Sequence, residues 1–211
     1  MSEVDDQSYE MLYDNLMIYY VNDVMDEDEN NELAIATLAL SRKYNGKKLN
    51  EEVRYGIAST KLEQYRSGKG AEDTWLSGPN SPQNSWNMVD IEYPDIVKTL
   101  SDRMSDAVAE ISKGLNIWKI RSGMKQMIKP IEIWYNVYDD TQYQELHTHS
   151  PSIFSSVYFN KLPEGSSKLK FNDREVQQRE GCAVVFLSHM MHGVSVGSNT
   201  EPRITWSMNF E

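Results

Sequence analysis

The chain has 211 residues, with 32 Asp or Glu against 21 Lys or Arg, for a formal net charge of −11. At 39% hydrophobic and 25% charged residues it can bury one core and is neither a disordered tail nor a membrane protein, since no run approaches the roughly 18 apolar residues that cross a bilayer. The first ten residues lack the basic and apolar regions of a signal peptide, and a single cysteine, Cys182, excludes a disulfide framework and a CxxC metal site, so a reducing cytoplasm is the expected location.

The excess charge is not spread evenly. Residues 1–41 hold eleven acids and no Lys or Arg, which leaves 21 of each sign in residues 42–211. The N-terminal segment therefore reads as a helical, acidic face on the outside of the fold. Glu32–Tyr44 is rich in Leu and Ala, and the acidic run Asp26–Glu29 before it suits the positive end of a helix dipole. Leu49–Tyr65 repeats apolar residues loosely at helical spacing. Ser67–Asn87, rich in Gly, Ser, Pro and Asn and carrying Trp75 and Trp86, reads as a long loop, either a lid or static packing. The clearest helix begins at Pro94, where Ile96, Leu100, Met104, Ala107, Val108, Ile111 and Leu115 form one apolar stripe. Gly114 and Asn116 mark its end.

From about residue 117 the period becomes two. Ile131–Tyr138, Ile153–Asn160, Lys168–Phe171, Cys182–Leu187 and Arg203–Phe210 read as short strands, separated by turn residues such as Asp139-Asp140, Asn172-Asp173 and Gly181. Short strands so spaced predict an antiparallel sandwich or barrel. The expected organisation is one α+β domain over residues 1–211, with helices in 1–116 packed outside a β core in 117–211.

All four histidines fall in the β half. His147 and His149 are two apart, so on a strand both point to one face. Such a pair holds one metal ion without distorting the backbone, given a third ligand from a distant strand. His192, just beyond the strand Cys182–Leu187, supplies it, while His189 is expected on the opposite face. On the last strand Arg203, Thr205 and Ser207 share a face that offers no carboxylate. A buried arginine there needs a partner, and a ligand carboxylate is the candidate. Residues 42–211 show no basic stripe with interleaved aromatics, so nucleic acid is not an expected partner.

The ordered set Trp134-Tyr-Asn-Val-Tyr138, His147-Thr-His149, Ser155-Ser-Val-Tyr-Phe159, Gly181-Cys-Ala-Val-Val-Phe-Leu-Ser188, His192-Gly-Val194 and Arg203-Ile-Thr205 resembles the Fe(II)/2-oxoglutarate-dependent oxygenases. It is most similar to the prolyl-hydroxylase-like group, in a branch common in marine microbes and phages; for a phage member the location is the host cytoplasm. The resemblance implies a double-stranded β-helix (jelly-roll, cupin-like) core and a dioxygenase that uses Fe(II), 2-oxoglutarate and O2 to hydroxylate an unactivated C–H bond. Its nearest relatives suggest a prolyl or other side chain of a peptide as substrate. Carried over by position, His147, His149 and His192 bind iron, and Arg203, with Thr205 beside it, anchors the distal carboxylate of 2-oxoglutarate. Tyr158 matches a position that hydrogen-bonds that carboxylate, and Tyr138 and Asn136 face the metal. The departure is His149, where the pattern usually has Asp or Glu; Glu145, two positions before His147, is an alternative ligand. Two rival readings are a three-histidine cupin-type dioxygenase that takes no 2-oxoglutarate and a non-enzymatic metal-binding jelly roll.

Overall fold

The computed structural model describes residues 9–13, 18–44, 83–84, 92–115, 130–139 and 142–211. The chain forms β1 (Tyr9–Tyr13), β2 (Ile18–Val21), α1 (Glu27–Tyr44), β3 (Gln83–Asn84) and α2 (Asp95–Gly114). Eight further strands follow: β4 (Pro130–Tyr138), β5 (Gln144–His147), β6 (Phe154–Lys161), β7 (Leu169–Phe171), β8 (Arg174–Glu175), β9 (Ala183–Leu187), β10 (His192–Val194) and β11 (Arg203–Phe210). The expected helix Leu49–Tyr65, the loop Ser67–Asn87 apart from Gln83–Asn84, and the turn residues Asn116 and Asp140 lie outside the described residues.

The strands make a major sheet in the order β1-β2-β9-β6-β11-β4-β3 and a minor sheet in the order β5-β10-β7-β8. Every pairing is antiparallel. This is the expected jelly roll, with helices on one side of it. Alternation sorts the major sheet into two faces. Tyr135, Val137, Tyr158, Val185, Trp206, Met208 and Phe210 point outward and meet Leu100, Met104 and Val108 of α2 and Leu33 of α1. Val157, Phe159, Val184 and Phe186 point inward and pack on Leu169 and Phe171 of the minor sheet. β6, β9 and β11 are covered on both sides and buried nearly throughout, yet only β9, Ala-Val-Val-Phe-Leu, is apolar along its length.

Both helices follow from local chemistry. At the start of α1 the Glu29 backbone N–H donates to Asp26 Oδ1 at 2.9 Å and the Asp26 N–H to Glu29 Oε2 at 3.1 Å, a reciprocal capping box. α2 buries Ile96, Leu100, Met104, Val108 and Ile111, the expected stripe, with Ala107 and Leu115 packed partly buried beside it.

The N-terminal segment corrects the expected organisation. Residues 9–13 and 18–21 are strands of the major sheet and not part of a helical appendage, so a boundary at 116/117 does not divide helices from sheet. β2 pairs with β9 in the register Ile18↔Phe186 to Val21↔Ala183, and Ile18, Tyr19 and Val21 are buried. Their composition, Ile-Tyr-Tyr-Val, is strand-like; the surrounding acids mask it in a charge count.

Candidate active site

The three histidines reach one point from two elements of the minor sheet. His147 closes β5 and His192 opens β10, and the two are direct register partners. His149 follows β5 and is held by its backbone N–H, which donates to the Ser188 carbonyl at 2.8 Å. Ring centroids stand 4.3 Å (His147–His192), 4.9 Å (His147–His149) and 4.9 Å (His149–His192) apart. One ligand nitrogen from each lies within 4.8 Å of the others, and this is a grouping of histidines alone. Gly193 belongs to the construction, because a Cβ there would stand 2.7 Å from the Gln144 carbonyl oxygen on the facing strand. Only glycine lets β5 and β10 approach closely enough to bring the pair together.

Hydrogen bonds set the tautomers. His147 Nδ1 donates to the Glu145 carbonyl at 2.7 Å and His192 Nδ1 to the Met190 carbonyl at 2.9 Å. A carbonyl only accepts, so each Nδ1 carries the proton and each Nε2 keeps its lone pair. Burial lowers the pKa of His147 and lowers those of His149 and His192 well below the ordinary value, and the neighbouring imidazoles add to the depression at His149 and His192. At neutral pH the triad is three uncharged nitrogen donors, as a metal ion requires.

Across the same cavity stands Arg203, buried at 1% exposure. Its Nη2 donates to Gln178 Oε1 at 2.8 Å, and the Tyr138 ring centroid lies 4.7 Å from its Cζ. Nε and Nη1 are buried without a hydrogen-bond partner among the described residues. Burial pulls the guanidinium pKa down from its ordinary value, yet it remains a cation with no carboxylate partner among the described residues. Glu201, two residues earlier, is spent on Lys161 at 2.7 Å. Asn136 lies opposite Thr205 in the register and donates Nδ2 to Ser207 Oγ at 3.2 Å and Thr205 Oγ1 at 3.5 Å, leaving its Oδ1 unpartnered. Turning that amide over lets it accept from both hydroxyls and presents Nδ2 as the free group.

Of the residues singled out in the sequence, His147, His149, His192, Arg203, Thr205, Asn136 and Tyr138 all line this one cavity. Tyr158 does not. It lies on the outward face of β6, its hydroxyl donating to Asn30 Oδ1 of α1 at 2.5 Å, so it is no contact for a carboxylate held by Arg203. Glu145 is exposed and contributes only its carbonyl oxygen, to His147, so it does not substitute as a ligand. His189 is exposed, away from the triad. Sequence reasoning missed Gln178, which holds Arg203, and Gln144, whose Oε1 accepts from the Tyr138 hydroxyl at 3.1 Å. Neither glutamine sits in a motif. The one available signal was the need of a buried arginine for an acceptor.

A jelly roll with a histidine cluster facing a buried arginine is the arrangement that the resemblance seen in the sequence implies. Residues 132–180 match a family described as "Putative 2OG-Fe(II) oxygenase". The match takes in His147 and His149 and ends before His192 and Arg203. Among solved structures the chain is similar to a Pseudomonas putida prolyl-4-hydroxylase (17% identity, 93% of this chain and 92% of that one, TM-score 0.58). It is also similar to the viral collagen prolyl hydroxylase of Paramecium Bursaria Chlorella virus-1 (10% identity, 99% and 98%, TM-score 0.52). A third is the non-haem alpha-ketoglutarate-dependent epimerase SnoN from nogalamycin biosynthesis (13% identity, 92% and 77%, TM-score 0.55). No curated protein matches the chain. The matched segment agrees with the resemblance seen in the sequence, and the solved structures agree with the fold that it implies. The donor set also fits the group: three neutral nitrogens with free lone pairs suit Fe(II), and the unpaired Arg203 nitrogens suit a carboxylate.

Proposed function

We propose that this protein is an Fe(II)- and 2-oxoglutarate-dependent dioxygenase that hydroxylates an unactivated C–H bond, with a peptide or protein side chain as the substrate. The observation that carries this reading is Arg203, a buried cation with two unpartnered nitrogens in the same cavity as three neutral imidazoles. When bound, Fe(II) and 2-oxoglutarate supply the oxidising chemistry, with O2 consumed, the co-substrate converted to succinate and CO2, and a hydroxyl left on the substrate. The chain's own share is binding, orientation and exclusion of water. His147 and His192 give Nε2 to the metal, their rings fixed by the carbonyls behind them, and His149 gives the third nitrogen. Arg203 receives the distal carboxylate through Nη1 and its neighbours. Asn136 stands beside it as a further donor, its amide held by the hydroxyls of Thr205 and Ser207, and the Tyr138 ring backs the guanidinium. Trp134, Val157, Leu169 and Val194 supply the apolar wall that keeps water from the pair. A peptide substrate is supported by the two similar prolyl hydroxylases. No described helix is long and apolar enough to cross a membrane, and the reading sets the enzyme in a reducing cytoplasm, where buried Cys182 stays a free thiol.

The test is an anaerobic titration of Fe(II) and 2-oxoglutarate, followed by the weak visible charge-transfer band of the chelate and then by succinate formation in air. Both are the expected result, and the absence of both sinks the reading. Arg203→Ala should weaken 2-oxoglutarate binding by about a hundredfold while leaving metal binding near that of the wild type. The all-histidine donor set also fits a three-histidine dioxygenase that takes no 2-oxoglutarate. Under that alternative no chelate band forms and Arg203→Ala leaves turnover unchanged.

A further inference from the structure

We propose that Gln178 is the positioning residue of Arg203, and that its lack of charge keeps the guanidinium available to an anionic ligand. The proposal rests on the reading of Arg203 as the anchor of the 2-oxoglutarate carboxylate. Gln178 stands on the segment after β8, at the edge of the minor sheet, whereas Arg203 opens β11 in the middle of the major sheet. Its Oε1 accepts from Arg203 Nη2 at 2.8 Å and from the Leu169 N–H at 3.4 Å, and its Nε2 donates to the Ser167 carbonyl at 3.1 Å. With donors facing one end of the amide and an acceptor facing the other, a single orientation satisfies all three contacts. Gln178 therefore ties the guanidinium of one sheet to the backbone of the other, while the Tyr138 ring limits its movement on another side.

The residue type matters as much as the reach. Glutamate has the same length and would place an anion on Nη2, closing an ion pair in a buried site where arginine otherwise has none among the described residues. Charges paired in such surroundings are hard to separate. The cation would then be neutralised from within, and a ligand carboxylate would have to displace an internal one. An amide fixes the position of the guanidinium and leaves its charge unspent. The same logic explains the geometry of the unpartnered atoms: Gln178 takes Nη2, and the nitrogens left open are Nε and Nη1.

The experiment compares two keto acids on the Fe(II)-loaded protein without oxygen, by calorimetry: 2-oxoglutarate, and 2-oxopentanoate, in which a methyl replaces the distal carboxylate. Wild type is expected to prefer 2-oxoglutarate. Gln178→Glu should weaken 2-oxoglutarate by about tenfold or more and change 2-oxopentanoate by less than about twofold, so that the preference collapses. Gln178→Met, which removes the tether without adding charge, should reduce the preference by about threefold. If Gln178→Glu weakens both keto acids alike, or neither, the proposal is overturned, because a merely structural role would not discriminate between them. Should the glutamate variant fail to fold, its second oxygen facing the Ser167 carbonyl, the methionine variant decides: an unchanged preference overturns the proposal. A wild type that binds both keto acids equally overturns the reading of Arg203 instead, and so the two failures are told apart.

Discussion

At the scale of single residues the site is built from groups that the protein's own side chains leave uncomfortable. Arg203 is a buried cation with two unpartnered nitrogens and one neutral acceptor, a costly arrangement for stability alone. Arg203→Met should therefore leave the metal-free protein as stable as wild type or raise its melting temperature by a few degrees, in line with the gain of about 1–4 kcal/mol seen when buried charges give way to packed apolar groups. A thermal scan checks this, and destabilisation by more than about 2 kcal/mol would give Arg203 a structural role instead. The triad makes the opposite prediction for the metal. His192→Ala should weaken Fe(II) binding by about a hundredfold or more, since it removes one of three donors, while far-UV circular dichroism stays that of a folded chain. These residues were legible because chemistry constrains their spacing: a two-residue step for His147 and His149, and an internal arginine on a strand face without acids. Tyr158 was misread for a physical reason. β6 is buried on both faces over Phe154–Asn160, so burial and composition do not reveal which alternate set meets the cavity and which meets the helices, and a one-residue error in parity exchanges them.

At the scale of elements, that same tyrosine belongs to the joint between α1 and β6. Its hydroxyl shares Asn30 Oδ1 with Asn160 Nδ2 (2.7 Å), Asn160 Nδ2 also donates to the Asn30 carbonyl (2.8 Å), and Asn30 Nδ2 donates to the Asn160 carbonyl (2.9 Å). Four hydrogen bonds thus fix one turn of helix on one strand, with the Arg103–Glu29 pair at 2.6 Å bracing α2 against α1 nearby. Tyr158→Phe should cost about 1–2 kcal/mol in urea unfolding and leave the 2-oxoglutarate affinity within about twofold of wild type. A large loss of affinity would mean that the hydroxyl reaches the cavity after all. The long strands and α2 were legible because each carries a sustained period. The minor sheet was mostly not: β5, β7, β8 and β10 have two to four residues each, too few to show alternation. β5 reads Gln-Glu-Leu-His and is half exposed. Its existence follows from pairing with β10, a long-range fact that no local window contains.

At the scale of the molecule, the net charge of −11 divides the chain in a way the fold does not. All the excess acid lies in residues 1–41, which makes that segment look like a detachable solubility face. The structure instead places Tyr9–Tyr13 and Ile18–Val21 in the major sheet. β2 covers the edge of β9, Ile18 packs with Val184 and Phe186 between the sheets, and Tyr19 and Val21 join the cluster beneath the helices. Just beyond, the Val24 N–H donates to the Gly181 carbonyl at 2.8 Å and Arg179 reaches Asp23 at 3.1 Å, so the turn entering β9 is held by the same segment. Removing residues 1–22 should therefore uncover a long apolar strand edge and part of both cores, and the truncated chain should aggregate or lose cooperative unfolding. Changing the exposed Asp28 and Glu32 to their amides removes charge from the same region without touching those contacts, and should shift stability by less than about 1 kcal/mol. Denaturation curves of the two variants side by side separate the roles. If the truncated chain unfolds cooperatively at the wild-type midpoint, the N-terminal strands are an appendage and the sheet ends at β9. If the double amide variant is the one that fails, charge and not pairing is what the segment contributes.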